Sequence, residues 1–417
     1  MRVTTLIWGF IALFAFAATA QQTGMQFEHH TTWKAIQEKA KKENKYIFMD
    51  AFTTWCGPCK MMAAKIFPLP EVGEFFNANY INVKVQLDTT KNDNEEVKAW
   101  YKDAHDIMVN YNVKVFPTYL FFSPNGELVH RAVGSSDAVT FINKGKDALN
   151  PDKQYYTLAR QYEAGNRQPD FLLKLAQASI NAYDRENQAK YADAYLATQS
   201  NLFTEDNVKL LQQVTQSSKD KGFKLMMENT EAFDKVLGAG KTNSFIRNII
   251  MQEMIFPEIF GKNRNNVNWD ELSKKVTAQY PRQAEEALLY AKVMQTQQLG
   301  KWDEFAPAIT AYMNKYGAGM SANELNSFAW TVFENCSDMA CVAQALEWSK
   351  RSLQGPEAKN HMYMDTYANL LYKLGKKAEA IKAQEQTIAI AKEANDGSAE
   401  DYEATLKKMK AGEKTWN

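Results

Sequence analysis

The segment "YIFMDAFTTWCGPC", residues 46–59, constrains the fold of this 417-residue chain more than any other. Its first seven residues form a short, largely apolar run, which predicts a buried central strand. Two cysteines, Cys56 and Cys59, follow with only Gly57 and Pro58 between them. Proline favours the first turn of a helix, because the N–H that it lacks would be unpaired there anyway. The segment therefore predicts a buried strand that leads into a helix with a cysteine at its start.

This placement predicts thiol–disulfide exchange by the two cysteines. The free N–H groups and the macrodipole at a helix start favour negative charge, so a thiolate at Cys56 would be stabilised there. We expect Cys56 to be the more exposed cysteine and to attack a substrate disulfide as the nucleophile. Cys59, one turn deeper, would then resolve the mixed disulfide. The same steps run backwards would oxidise a dithiol.

The resolving cysteine needs a proton acceptor, and Asp50 is the candidate. It lies six residues before Cys56, on the predicted strand. Its apolar flanks favour a buried carboxylate over the alternative, an aspartate at a strand end that faces water. Burial would raise its pKa toward the working range of a general base.

The pattern around this segment predicts an α/β domain. Alternating strand and helix patterns are followed by two strands joined at Ser123-Pro124-Asn125-Gly126, which is a hairpin signal. A mixed sheet covered by helices on both faces follows from this order. The predicted helices are 30–43, with Thr32 as its cap, one starting at 56–58, 94–111 and 135–149, and the predicted strands are 46–52, 80–88, 117–122 and 127–133.

Over residues 30–149 the chain resembles the thioredoxin family. The stretch "DAFTTWCGPCK" carries that family's Asp, Trp, Cys-Gly-Pro-Cys and Lys in register, and Phe116-Pro117-Thr118 matches its cis-proline segment. The resemblance implies a thioredoxin fold over residues 25–150 and a thiol–disulfide oxidoreductase that needs no cofactor or metal. It also implies that Lys84 is the partner of Asp50.

The resemblance further implies which residues dock the substrate chain. Phe116 and the cis-proline would hold the chain beside the cysteine pair, although a purely structural role in the core remains the alternative for Phe116. Trp55 is expected to be an exposed aromatic at the edge of the site. The implied docking residues are Trp55, Gly57, Pro58, Phe116, Pro117 and Gly134.

Beyond Asn150-Pro151-Asp152 the strand patterns stop, and residues 151–417 predict an all-α domain. Segments 289–317, 323–354 and 372–392 share a helix–turn–helix form, with spacings of 35 and 40 residues when aligned on Phe305, Ala345 and Ala380. Over 289–392 they resemble degenerate tetratricopeptide repeats, and an irregular helical bundle is the alternative. The combination resembles exported thioredoxin-like proteins with helical carboxy-terminal domains in Bacteroidetes-type bacteria.

Residues 1–20 predict an export signal. Arg2 precedes an apolar run from Leu6 to Ala18, and the segment ends in Ala18-Thr19-Ala20, a pattern that signal peptidase accepts. The run is shorter than the ~18–20 residues that cross a bilayer, so an uncleaved anchor is the less favoured alternative. We expect cleavage near Ala20 and a periplasmic or otherwise exported protein without a transmembrane span.

The other two cysteines, Cys336 and Cys341, flank a predicted turn between helices. In an exported protein we expect them to form a structural disulfide, and an electron relay to Cys56 and Cys59 is the alternative. A zinc site made of all four cysteines is disfavoured, because the pairs are 277 residues apart.

Together these features predict an exported oxidoreductase that reduces or exchanges disulfides in envelope proteins. Gly-Pro between the cysteines resembles the reducing branch of the family, so an upstream thiol donor is expected, at the inner membrane. The 49 basic and 49 acidic residues balance, which argues against nucleic acid as a partner. The alternatives are a helical scaffold with a weakly active redox domain and a disulfide isomerase. The client, the donor and the oligomeric state are not encoded in any recognisable pattern.

Overall fold

A computed structural model of the chain describes residues 24–262, 264–394 and 397–416. The predicted export signal at residues 1–20 lies outside the described residues and stays a prediction. The chain divides after Ser200 into two compact units. None of the described helices is both long and apolar enough to cross a membrane.

The first unit contains a four-stranded mixed sheet, as the sequence predicts. Its strands are β1 (Tyr46–Phe52), β2 (Tyr80–Gln86), β3 (Thr118–Phe122) and β4 (Leu128–Val133). Their order is β2-β1-β3-β4. β1 pairs in parallel with β2 and antiparallel with β3, and β3 and β4 form the predicted hairpin. β1 is therefore a central strand with a partner on each side.

Helices cover both faces of this sheet and continue beyond it. The helices of the first unit are α1 (Trp33–Glu43), α2 (Gly57–Met61), which continues as a π-helical turn (Met62–Ile66), α3 (Pro70–Asn79), α4 (Glu95–Ala99), α5 (Tyr101–Asn110), α6 (Ala138–Leu149), α7 (Tyr155–Glu163), α8 (Pro169–Asn181) and α9 (Gln188–Leu196). The predicted cap of α1 is confirmed, because the Thr32 hydroxyl accepts the Ala35 N–H at 3.2 Å.

Alternation along β1 divides the core into two layers. Ile47, Met49 and Ala51 pack with side chains from α1 and α5 on one face. Phe48 faces the other way, into an aromatic layer to which α3 and α6 contribute. Burying a side chain of this size stabilises the fold by about 1.5–3 kcal/mol, so both layers hold the strand that leads to Cys56.

Two details of this unit differ from the sequence prediction. The predicted helix over 94–111 is broken at Trp100 into α4 and α5. Helix α3 was missed, because Pro68, Pro70 and Gly73 all weaken a helical pattern. Gly73 is there for a steric reason: a Cβ at this position would lie 2.2 Å from the Gly24 carbonyl oxygen.

Helix α7 follows the predicted boundary at residue 150 but packs against the sheet domain. Its first residue, Tyr155, donates its backbone N–H to His130 Nδ1 on β4 at 3.1 Å. Burial lowers the pKa of His130 to about 4, so the ring stays neutral near pH 7. The compact unit thus extends past residue 150, and the proposed domain boundary stays a prediction.

The second unit is helical throughout the part that the structure describes. Its helices are α10 (Glu205–Val214), α11 (Lys221–Glu228), α12 (Thr230–Leu237), α13 (Lys241–Ile250), a π-helical turn (Met251–Ile255), α14 (Phe256–Ile259), α15 (Trp269–Gln279), α16 (Ala284–Gln298), α17 (Trp302–Tyr316), α18 (Ala322–Asn335), α19 (Met339–Ser352), α20 (His361–Lys373), α21 (Lys377–Ala394) and α22 (Ala399–Ala411), with 3₁₀ turns at Gly317–Gly319 and Gly355–Lys359.

Successive helices of this unit pack in pairs, α16 with α17, α18 with α19 and α20 with α21. The three positions on which the repeats were aligned, Phe305, Ala345 and Ala380, are all fully buried. Equivalent burial is what a repeat requires, because each unit stacks its apolar face on the next. The assignment to the tetratricopeptide type stays a prediction.

The packing of the aromatic layer predicts how two substitutions on α6 change the free energy of unfolding. Phe141 on α6 is fully buried and stacks on Phe76, with ring centres 4.6 Å apart. Phe141→Ala should lower the free energy of unfolding by about 3–5 kcal/mol, because it leaves a cavity. Val139 on the same helix is 71% exposed, so Val139→Ala should change that energy by less than about 0.5 kcal/mol. Urea unfolding measures both free energies. Equal changes for the two substitutions would contradict the placement of Phe141 in the core and Val139 at the surface.

Candidate functional site

The cysteine pair lies where the sequence predicts, at the start of α2. Cys56 caps the helix, and its sulfur accepts the Cys59 backbone N–H at 3.1 Å. The two residues are joined by a disulfide, with their Cα atoms 5.3 Å apart. The site is therefore in its oxidised form, and a Cys56 thiolate would keep the same helix-start N–H as its donor.

The expectation that Cys56 is the more exposed cysteine is wrong. Cys56 is 3% exposed and Cys59 is 5% exposed, whereas Trp55 is 68% exposed. The Cys56 sulfur lies against the start of α2, bonded to the Cys59 sulfur and within hydrogen-bond distance of the Cys59 backbone N–H. Gly57 and Pro58 are exposed beside the pair, at the positions predicted for substrate docking.

The loop before Cys56 is fixed by a contact that sequence reasoning missed. The backbone N–H of Thr54 donates to one carboxylate oxygen of Asp88 at 2.9 Å, and the Thr54 hydroxyl donates to the other. Asp88 lies just after β2, 34 residues along the chain. The pair holds the loop that carries Trp55, and no local pattern could have revealed it because the partners are distant in sequence.

Asp50 lies on β1 and is only 2% exposed, so the alternative in which it faces water is excluded. Burial raises the pKa of its carboxyl group to about 7, and the Lys84 ammonium partly opposes that rise. A carboxyl group with this pKa can exchange protons near neutral pH. Its predicted burial is confirmed, and its role as acceptor of the Cys59 proton stays a prediction.

Lys84 is brought to Asp50 by the parallel pairing of β1 and β2, which places the two residues in register. Its ammonium nitrogen lies 4.8 Å from the centre of the Phe52 ring and 5.7 Å from that of Phe27. The predicted partnership is therefore an attraction through space, which lowers the pKa of Asp50 less than burial raises it.

The predicted cis bond is present between Phe116 and Pro117. The Phe116 ring meets Trp55 edge to face, with ring centres 5.6 Å apart, which brings the cis-proline loop against the cysteine loop. Gly134 donates its N–H to the Pro117 carbonyl at 2.9 Å, so it also lies at the site. Phe116 is half-buried and contacts the core as well, so both roles considered for it have a structural basis.

Lys144 on α6 is a second contact that sequence reasoning missed. Its ammonium donates to the Val133 and Gly134 carbonyls, both at 2.9 Å. Gly134 has a φ of 79°, a conformation that favours glycine, and its carbonyl would otherwise lack this donor. Lys144 thereby fixes the end of β4 beside Pro117. The helical pattern of α6 predicts its position on the helix but not its partners.

Cys336 and Cys341 do not form the predicted structural disulfide. Both are buried free thiols, at the end of α18 and in the first turn of α19. The Cys336 thiol donates a hydrogen bond to Cys341, which raises the pKa of Cys336. The turn therefore brings the thiols together as expected, but as a hydrogen-bonded pair. Within the described ranges, no cluster of three or more His, Cys, Asp or Glu side chains is arranged to hold a metal ion.

Residues 33–149 match the family described as a thioredoxin-like domain. A thioredoxin from Echinococcus granulosus is 31% identical over 24% of this chain and 77% of its own length. Thioredoxin-2 of Pyricularia oryzae is 32% identical over 26% of this chain, and the match spans only about half, 52%, of that relative.

A solved structure gives a similar match. The solution structure of a disulphide-isomerase candidate from Bacteroides thetaiotaomicron is 30% identical, with 31% of this chain and 98% of that chain covered and a TM-score of 0.26. The family match, over residues 33–149, includes the cysteine pair.

The raised pKa of Asp50 predicts how the stability of the protein depends on pH. The ordinary pKa of this group is 3.8, and the folded protein raises it to about 7. Wild-type protein should therefore lose stability as pH rises from about 4 to about 7, because the folded state resists giving up this proton. Asp50→Asn removes that loss, so the variant should be about 2–4 kcal/mol more stable at pH 8 and nearly equal at pH 4.

Urea unfolding at the two pH values measures this difference. Asp106 on α5 is the matched control, because its side chain is 53% exposed. Asp106→Asn should show no comparable change between pH 4 and pH 8. A stability difference for Asp50→Asn that is the same at both pH values would contradict the role of burial.

Proposed function

Because the chain belongs to the thioredoxin family, we propose that it is an exported thiol–disulfide oxidoreductase that reduces disulfides in proteins of the cell envelope. One observation carries this proposal. A disulfide-bonded cysteine pair begins a helix, a buried Asp50 precedes it on β1, and a cis Phe116–Pro117 bond lies against the same loop. A protein that used this domain only as a scaffold would not need all of these groups.

The reaction begins from the reduced pair. The Cys56 thiolate attacks one sulfur of the client disulfide, that disulfide breaks, and the first client thiolate leaves. Cys59 then gives its proton to Asp50 and attacks the Cys56 sulfur, which breaks the mixed disulfide and releases the second client sulfur as a thiolate. The client gains two electrons and the enzyme ends with the Cys56–Cys59 disulfide, which is the form described above.

Phe116 and Trp55 are the proposed docking surface for the client chain. Trp55 is largely exposed and meets Phe116 edge to face, which leaves an aromatic surface beside the buried sulfurs. Aromatic side chains suit docking, since they offer a large contact area with little loss of side-chain entropy.

The direction of transfer follows from what lies between the cysteines. Oxidising relatives tend to carry a histidine there, which stabilises the thiolate and hence the reduced form. Here the positions are Gly57 and Pro58, and the thiolate keeps only the helix start as its stabilising environment. A low potential and a reductase role are the consequence.

A reductase that acts outside the cytosol needs a donor that reduces its cysteine pair again after each turnover. The apolar run and Ala18-Thr19-Ala20 support export to a compartment in which a reductase needs a donor. We propose a thiol carrier at the inner membrane, which would reduce Cys56–Cys59 by the same exchange chemistry.

A trapping experiment tests the enzyme proposal. Cys59→Ser removes the resolving thiol, so the mixed disulfide between Cys56 and the client should persist and be seen as a higher-mass species on non-reducing gels. Turnover with a model disulfide protein should fall by about two orders of magnitude or more. Cys56→Ser is the matched control, because it retains one thiol of the pair but should trap no client.

The outcome against the proposal is equally defined. The Cys59→Ser protein could capture no client as a mixed disulfide from a periplasmic extract. If the full chain still bound a stable partner through residues 201–417, the scaffold alternative would be favoured. Equal trapping by both variants would show that Cys56 is not the attacking residue.

A further inference from the structure

Tyr119 lies directly opposite Asp50 in the sheet. β3 begins immediately after the cis-proline, and its antiparallel register pairs Asp50 with Tyr119. Directly opposite side chains of an antiparallel pair share one face, with Cβ atoms about 4.5–5.5 Å apart. Tyr119 is therefore the cross-strand neighbour of the proposed proton acceptor, on the same face of the sheet.

The Tyr119 ring is enclosed and held in place. The residue is fully buried, and its ring packs against Phe48 and Phe141, with centres 5.7 Å and 5.1 Å away. The Lys144 ammonium lies 5.5 Å from the ring centre on a third side. This packing leaves no route by which the hydroxyl group could turn out to solvent.

Two buried polar atoms at this position have no hydrogen-bond partner among the described residues. They are the Tyr119 hydroxyl oxygen and Oδ1 of Asp50. Buried polar groups are nearly always hydrogen-bonded, because an unpaired group loses its hydrogen bonds to water and gains none in the protein. The two needs are complementary, since a phenol O–H donates and a carboxylate oxygen accepts.

We propose that Tyr119 is a positioning residue for Asp50, and that its hydroxyl donates a hydrogen bond, through one buried water, to the carboxylate. Buried waters typically bridge polar groups that would otherwise be unpaired, with about two to four hydrogen bonds each. The inference rests on the proposed function in one respect, that Asp50 accepts the Cys59 proton. The proton passes from the Cys59 sulfur to the Asp50 carboxylate, and Tyr119 keeps its own proton throughout.

Tyr119 is suited to remain a donor over the working range of the enzyme. Burial raises the pKa of its hydroxyl well above the ordinary value, and the negative charge of Asp50 raises it further. The other charged or titratable groups near the pair are Lys84 on β2, Lys144 on α6 and Tyr80 on β2. Lys84 acts on Asp50 by charge, Lys144 lies over the Tyr119 ring, and Tyr80 donates its hydroxyl to the Gly145 carbonyl.

Tyr119→Phe removes the donor and leaves the ring. A donor stabilises the ionised carboxylate, so its loss should raise the pKa of Asp50 by about one unit relative to the wild-type protein. The measurement is the ¹³C carboxyl shift of Asp50 against pH in the oxidised full-length protein, where Cys56 and Cys59 do not titrate. Tyr80→Phe is the matched control, and it should leave the Asp50 midpoint unchanged. An unchanged or lowered midpoint in Tyr119→Phe would overturn the proposal.

A second measurement keeps the proposal open to refutation if Tyr119→Phe does not fold. In the wild-type protein, the ¹³Cζ shift of Tyr119, assigned through its contacts with Phe48 and Phe141, should change with the same midpoint as the Asp50 carboxyl. In Asp50→Asn that change should vanish. A Tyr119 ¹³Cζ shift that does not change as Asp50 titrates would overturn the proposal.

Both measurements are independent of clients and electron donors. If the protein trapped no client but the two titrations were coupled, the proposed function would fail and the Tyr119 contact would stand. If clients were trapped and the two titrations were independent, the proposed function would stand and the Tyr119 contact would fail.

Discussion

Burial of the Asp50 carboxyl group in the central strand is the constraint on which the rest of the site depends. An ionised carboxylate is poorly tolerated in an apolar interior, so the folded protein keeps the proton on this group up to about pH 7. The Lys84 ammonium reduces that effect without cancelling it. The result is a group that changes charge near neutral pH, on the strand that leads into the cysteine pair.

The strand pairing explains why these groups meet. β1 has a parallel neighbour, which brings Lys84 into register with Asp50, and an antiparallel neighbour, which brings Tyr119 opposite it. The same two neighbours supply the loops that fix the cysteine pair, through Asp88 after β2 and the cis Phe116–Pro117 bond before β3. Sheet topology, more than any local sequence, therefore assembles the site.

Local patterns predicted the parts of this arrangement that depend on neighbours in sequence. The apolar run fixed β1 to the residue, Pro58 and the cysteines fixed the start of α2, and apolar flanks predicted the burial of Asp50. Resemblance to a known family was needed for the cis-proline and Gly134, because neither is encoded by a local period.

What the sequence could not supply is contact between distant residues. The pairs Thr54–Asp88 and Lys144–Gly134 each join elements that only the folded sheet brings together. The 3% exposure of Cys56 and the hydrogen-bonded free thiols of Cys336 and Cys341 also differ from expectation. Both depend on the folded surroundings of each side chain, which no local pattern records.

The reduction potential of the Cys56–Cys59 pair tests the central claim most directly. It is measured by equilibrating the purified protein with glutathione or dithiothreitol buffers and counting free thiols, with Cys336 and Cys341 replaced by Ser so that only one pair contributes to the count. A potential near that of thioredoxin, about −270 mV, is the predicted result. A potential near that of the strong oxidants, about −120 mV, would contradict the reductase assignment.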